Sequence, residues 1–140
     1  MQIIKRLFFF TILFFSDLLA GDLIVKIKNI DEKVGLIHLA LYDDPKTFPK
    51  NDGKRIGLVS NTTEVAKNGF TINNLEESYY AIAIYHDKNS NNDFDTFLSI
   101  PKEKYGFSND APVFFGPPKF EEAAFFLKKN ENKVIEIILR

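Results

Sequence analysis

The stretch HDKNSNNDFD, from His86 to Asp95, concentrates oxygen-bearing side chains directly after a strongly apolar run of the chain. Alternate positions carry five of them: Asp87, Asn89, Asn91, Asp93 and Asp95. Such spacing lets a tight loop turn its side chains towards one point. Calcium binds six to eight oxygens from carboxylates, amides and backbone carbonyls. The spacing therefore predicts a calcium-binding loop.

Two features of the helix–loop–helix calcium site are missing from this loop. Counted from Asp87, position six is Asn92 instead of glycine, and position twelve is Leu98 instead of a bidentate glutamate. These differences exclude an EF-hand and indicate a weak site. Asn92 can still adopt the left-handed conformation, which asparagine tolerates. An ordinary turn is the alternative, because Asn and Asp side chains bond their own backbone.

If the loop binds calcium, Asp87→Ala or Asp95→Ala should abolish the stabilisation that calcium gives. The stability of the metal-free protein should then change little, or even rise as repulsion between carboxylates falls.

His86 precedes Asp87, so the pair could form a general-base dyad in a small hydrolase. The chain has no serine in a G-x-S-x-G context and no second histidine at metal-ligand spacing. The sequence therefore favours a non-enzymatic protein in which His86 bonds a loop carbonyl at the end of a strand. His38, in the middle of a predicted strand, is expected to be structural.

The stretch YGFSNDAPVFFGPPKF, residues 105–120, is a second candidate surface. Its aromatic residues could line a groove for a glycan, a peptide or a small apolar ligand. The alternative, which the length of the segment favours, is a loop that feeds aromatic side chains into the core. In that case Phe107→Ala or Phe120→Ala should cost about 3–5 kcal/mol. The candidate ligand-binding residues are His86, Tyr105, Phe107, Asn109 and Phe115.

Apolar residues recur with a period of two along most of the chain after residue 20. Residues 22–30 and 34–42 are predicted to form a hairpin, 56–66 and 69–75 further strands, and 78–86 a central strand with two apolar faces. Two strands, 123–128 and 133–140, close the chain, and PKFEEAAFF is the one helical candidate. This pattern predicts an all-β fold, a single antiparallel β-sandwich of about seven strands.

Residues 1–20 have a basic start, an apolar run and a small-residue end at Ala20, as in a signal peptide. An uncleaved anchor or a first strand is the alternative. Residues 21–140 would then form the exported domain, periplasmic or extracellular, with no membrane span and a formal net charge of −2. That charge gives no basic surface for nucleic acid. The absence of cysteine excludes disulfides and thiolate chemistry.

Two blocks of the sequence, YAIAIYHDKNSN at 80–91 and IPKEKYGFSNDAPVFFGPPKF at 100–120, resemble a family of exported bacterial proteins, the domain of unknown function DUF2141. The resemblance implies a transthyretin-like or immunoglobulin-like sandwich and no established activity. The chain is therefore expected to be an exported binding or structural module. Its partner would be an unidentified protein, glycan or small ligand, and calcium its only expected cofactor.

Overall fold

A computed structural model describes residues 20–140, so the predicted signal peptide lies outside the described residues except for Ala20. Within that range the chain forms ten strands, two short α-helices and two single-turn 3-10 helices, Asn51–Gly53 and Ser108–Asp110. The strands are β1 (Gly21–Lys28), β2 (Leu36–Tyr42), β3 (Ile56–Asn61), β4 (Phe70–Leu75), β5 (Ser78–Asp87), β6 (Thr96–Phe97), β7 (Ile100–Pro101), β8 (Tyr105–Phe107), β9 (Phe125–Leu127) and β10 (Asn132–Ile138). The α-helices are α1 (Thr62–Asn68) and α2 (Phe120–Ala123).

Two sheets pack against each other. The smaller has the order β10-β1-β4, and the larger the order β3-β2-β5-β8, with β9 pairing with the first residues of β5. Strands β6 and β7 form a separate two-stranded ribbon. Apolar side chains from both sheets join one buried cluster, in which Leu23, Leu39 and Ile82 are almost inaccessible to solvent. The predicted all-β sandwich is confirmed.

The predicted hairpin of β1 with the following strand is wrong. Strand β1 lies between β10 and β4, and β2 belongs to the other sheet. Its pairing with β10 is parallel, in register from Asp22 opposite Asn132 to Lys28 opposite Ile138. The period of two shows which side chains of a strand face the core, but it does not identify the neighbouring strand. Residues 29–35 carry the chain from one sheet to the other.

Helix α1 replaces the second half of a predicted strand. Asn61 ends β3, and its side chain accepts a hydrogen bond from the backbone N–H of Glu64 at 2.9 Å, which caps the helix. Val65 is buried on the inner side of the helix, and Gly69, with φ of 70°, ends it. Two turns are too short to produce a helical period that sequence alone would reveal.

Strand β5 is covered on both faces, as predicted from its apolar pattern. Tyr80, Ile82 and Ile84 point into the core between the sheets. The opposite face is covered by the segments that follow β2 and β8. This second cluster contains Tyr42, Phe48, Ala81, Phe107, Ala111, Phe120 and Ala123. The strand therefore holds its last residue, Asp87, at a rigid edge of the sandwich, where the polar loop begins.

Candidate functional site

Asp87 anchors the polar loop from inside the protein. Its carboxylate is fully buried and accepts the backbone N–H of Asn91 at 3.1 Å and that of Asn92 at 2.8 Å. The Oδ2 atom also lies 3.1 Å from Nε2 of His38 on β2. The imidazole of His38 stacks on the ring of Tyr85, with centroids 4.5 Å apart. One carboxylate thus ties the loop to two adjacent strands of the larger sheet.

The loop itself is a series of turns stabilised by asparagine side chains. Oδ1 of Asn89 accepts the N–H of Asn91 at 3.1 Å, and Oδ1 of Asn91 accepts the N–H of Asp93 at 2.9 Å. The side-chain amides of Asn89 and Asn91 both donate to the carboxylate of Asp95, at 2.7 and 3.1 Å. The side chains of Asn89, Asn91 and Asp95 are thus joined to one another, whereas no hydrogen bond within residues 20–140 joins the side chain of Asp93 to them.

Glu103 closes the loop, a role that the sequence does not reveal. Its Oε1 accepts the backbone N–H of Lys88 at 3.0 Å, and its Oε2 accepts that of Asp95 at 3.1 Å. The residue lies eight positions beyond Asp95, and the β6–β7 ribbon brings it back. In a contiguous twelve-residue calcium loop the glutamate would stand at position twelve, which here is Leu98. The position of Glu103 in the sequence therefore does not indicate that it contacts the loop. Asn92 adopts the left-handed conformation, with φ of 65°, as its residue type allowed.

The burial of Asp87 corrects one expectation. A carboxylate that is fully buried and holds three hydrogen bonds is part of the folded structure, with or without a metal ion. Its removal should therefore lower the stability of the metal-free protein. Asp95 is partly exposed, and its side-chain partners are two surface amides. For Asp95 the expected small effect still stands.

The carboxylates of the loop act together on Tyr85. Burial, and to a smaller extent the negative charges of Asp87, Glu103, Asp93 and Asp95, together raise the pKa of its phenol to about 12. The hydroxyl donates to the backbone oxygen of Asn92 at 3.3 Å. This side of the sandwich therefore has a negative potential, which is favourable for a cation.

His86 and Asp87 do not form a dyad. Successive strand residues point to opposite faces. Nε2 of the buried His86 lies 2.7 Å from the backbone oxygen of Val34, the structural role that the sequence favoured, while Asp87 contacts His38. His86 also borders a cleft of about 160 Å³. The other residues of this cleft are Asp31, Glu32, Lys88, Lys102, Glu103 and Lys104, with ion pairs Lys88–Glu32 and Lys104–Asp31.

The aromatic segment 105–120 is divided between core and surface. Phe107 and Phe120 are buried, and the ring centroid of each lies 5.9 Å from that of Phe48. This part confirms the interpretation that the loop contributes to the core. Phe114 and Phe115 are exposed at its tip. The structure does not bring the aromatic residues together in one groove.

The polar residues of this segment have structural partners. The buried hydroxyl of Ser108 accepts the backbone N–H of Ile82 at 2.9 Å and donates to the carbonyl oxygen of Ala123 at 2.5 Å. The amide of Asn109 donates to the carbonyl oxygen of Ala124 at 2.6 Å. Tyr105 is half-buried. Ser108 therefore joins the loop to β5 and α2, and Asn109 joins it to the residue that follows α2.

Residues 25–135 match the family model described as "Uncharacterized protein conserved in bacteria (DUF2141)", which spans most of the chain. The chain belongs to DUF2141. No curated protein and no solved structure matches this DUF2141 protein significantly. Because the family description names no activity, the function of this DUF2141 domain has to be argued from its own residues.

Two further observations concern metals and membranes. Within residues 20–140, no group of three or more histidine, aspartate or glutamate side chains is arranged to hold a metal ion. The oxygens gathered at the polar loop are instead a mixture of carboxylates and amides. No helix in this part of the chain is long and apolar enough to cross a membrane.

Proposed function

We propose that this DUF2141 protein is an exported calcium-binding module whose site is the loop 87–95 together with Glu103. One observation carries the proposal. The Asp95 carboxylate accepts hydrogen bonds from the side-chain amides of both Asn89 and Asn91, and the anchored Asp87 holds the backbone N–H of Asn91. Side chains at alternate positions thus converge on one small region.

The oxygens of this region suit a hard cation. Each amide oxygen of Asn89 and Asn91 accepts one backbone N–H and has a second lone pair. Asp95 supplies a partly exposed carboxylate, Glu103 holds its backbone N–H at 3.1 Å, and backbone carbonyls of the turn can complete the six to eight oxygens that calcium takes. Amide and carboxylate oxygens together favour calcium over transition metals, which prefer imidazole and thiolate ligands.

Charge repulsion supplies the driving force. The negative charges of Asp93, Asp95 and Glu103 all act on the neighbouring Tyr85, and a divalent cation bound beside them would lower their mutual repulsion. The buried Asp87 is already held by its three hydrogen bonds, so part of the site is organised before the ion arrives. The loop also has few carboxylates compared with high-affinity sites. We therefore expect a dissociation constant of about 10⁻⁴–10⁻³ M, as in extracellular modules.

The proposal is tested by thermal melting of residues 21–140 in millimolar calcium, in magnesium and in chelator. At ten times the dissociation constant, calcium should stabilise the fold by about 1.4 kcal/mol. That is a rise of roughly 3–6 °C in Tm for a domain of this size. Magnesium should have a smaller effect, because it requires a tighter octahedral shell.

Three variants make the test specific. Asp95→Ala should abolish the calcium increment, and Glu103→Gln should reduce it. Asp93→Asn, a change in the same loop at a side chain that does not bond Asp95, is the matched control and should retain the increment. Melting curves that superimpose in calcium and in chelator would show that the loop is a turn without a cation.

A further inference from the structure

The β6–β7 ribbon carries an apolar tip that is exposed to solvent. Residues 96–102 are all exposed, and within residues 20–140 the two strands pair with each other in a sheet of their own. Phe97 and Ile100 are cross-strand partners, so their side chains lie on the same face of the ribbon. Phe97 is 60% exposed, Ile100 67% and Leu98, in the turn, 81%.

The turn of this ribbon has unusual residues for its conformation. Leu98 and Ser99 form a two-residue connection with φ values of 49° and 64°. Two positive φ values define a type I′ turn, which strongly prefers Asn-Gly. Leucine is disfavoured there twice, by the left-handed backbone and by exposure to water. A residue held against both preferences points to a functional role for its side chain.

The base of the ribbon is fixed and carries a positive charge. The backbone N–H of Lys102 donates to the carbonyl oxygen of Asp95 at 2.9 Å, and Glu103 holds the N–H of the same aspartate. Nζ of Lys102 lies 5.6 Å from the centroid of the Phe97 ring. The tip therefore projects from an anchored base, with an ammonium group beside its aromatic ring.

We propose that the tip formed by Phe97, Leu98 and Ile100 inserts into the interfacial region of a phospholipid bilayer. At these exposures the three side chains present roughly 300–400 Å² of apolar surface, the size of an ordinary functional patch. A stable protein interface buries about 800 Å² on each partner. The tip is too small and too narrow to hold a second protein by itself, but a fluid bilayer accepts such a shape.

The chemistry of the tip determines the kind of attachment. Apolar side chains would lie at the acyl boundary, while the Lys102 ammonium stays at the level of the phosphates. The segment 87–104 carries four carboxylates and three lysines, a formal charge of −1, so attraction to anionic lipid is not the main force. Binding should be weak and reversible, with a partition constant of about 10⁴ M⁻¹ or below, and depend little on salt.

The decisive variant is Leu98→Asn combined with Ser99→Gly. Asn-Gly is the preferred sequence of a type I′ turn, so the double variant should fold at least as stably as the wild type while it loses Leu98, the most exposed apolar side chain of the tip. Binding to vesicles of phosphatidylcholine, with and without phosphatidylglycerol, is measured by co-sedimentation in chelator. The result then does not depend on the proposed calcium site. We expect at least a tenfold loss of binding.

A second measurement reports depth. The chain has no tryptophan, so Leu98→Trp introduces a single fluorophore at the tip. Its emission should shift to the blue on addition of vesicles and be quenched by brominated lipid. Phe115→Ser, at the other exposed aromatic tip, is the matched control and should bind vesicles as the wild type does.

Three outcomes would overturn the proposal: wild-type protein that stays in the supernatant with both lipids, binding retained in the Asn-Gly variant, or binding lost in Phe115→Ser. Sedimentation velocity of the wild type and of the Asn-Gly variant tests the alternative that the tip binds a second copy of this chain. Self-association that the variant abolishes would show that a second copy of this chain, and not a bilayer, covers the tip.

Discussion

Asp87→Ala should destabilise the domain even in the absence of calcium. The carboxylate holds two backbone N–H groups of the loop and the imidazole of His38, all within 3.1 Å. Hydrogen bonds to an ionised group contribute about 1.5–3 kcal/mol each. The two N–H groups belong to exposed residues, Asn91 and Asn92, and can recover water, but the half-buried imidazole recovers less. We therefore expect a loss of about 2–4 kcal/mol in the free energy of unfolding.

The assay is urea denaturation in chelator, followed by far-UV circular dichroism. A loss of this size should lower the midpoint by about 1–2 M urea. Asp93→Ala, in the same loop but exposed, is the matched control and should change stability by less than about 0.5 kcal/mol. Asp87→Asn tests whether both carboxylate oxygens are needed as acceptors, because an amide has only one oxygen. The stability of this variant should lie between that of Asp87→Ala and that of Asp93→Ala.

A double-mutant cycle with His38→Ala isolates the side-chain pair. Residues that share a hydrogen bond couple by about 0.5–3 kcal/mol, and Asp87 with His38 should fall in this range. Asp93 with His38 should show additivity. Equal stability of Asp87→Ala and Asp93→Ala would refute the anchoring role of Asp87 and restore the idea that carboxylate repulsion dominates the metal-free loop.

Three further outcomes are expected. Phe107→Ala should cost about 3–5 kcal/mol, whereas Phe115→Ala should cost less than about 0.5 kcal/mol in the same urea titration. Ser108→Ala leaves two buried backbone groups without their partner and should cost about 1–3 kcal/mol, as hydrogen exchange or urea unfolding would register. The phenol of Tyr85 should titrate near pH 12 by NMR of labelled tyrosine, with Tyr85→Phe for assignment. Because its folded pKa exceeds the unfolded value of about 10, its contribution to stability is complete below pH 10 and is lost as the pH rises towards 12.

The strands could be predicted well because each carries its own pattern. Leu23, Val25 and Ile27 share one face of β1 while Lys26 and Lys28 share the other, and both faces of the 78–86 segment are apolar. The presence of these two strands, and the burial of the second on both faces, could therefore be predicted. The strand that pairs with β1 could not be predicted in the same way. A hairpin with β2 and a parallel pair with β10 bury the same side chains, and only the packing of the whole domain distinguishes them.

The site was predictable only where it is local. Asp87, Asn89, Asn91 and Asp95 lie in one stretch of sequence at alternate positions. The structure joins them by hydrogen bonds, as this alternation suggested. Glu103 and His38 reach the same place from elsewhere in the chain, through a ribbon and through a neighbouring strand. The burial of Asp87 also gives this residue a different role from the one that the sequence suggests. The pattern presents Asp87 as one repelling carboxylate among three, whereas the structure makes it the anchor of the loop.

The parallel pairing of β1 with β10 has a consequence for the order of folding. The two strands are joined by contacts such as that of Asn29 with the carbonyl oxygen of Leu139, residues 110 positions apart. During synthesis β1 appears first, and the edge that β10 covers stays open until nearly the whole domain has been made. Contacts of such long range slow folding, because the loop entropy is lost before they form. The domain therefore stays incomplete, with one sheet edge unpaired, for most of its translation.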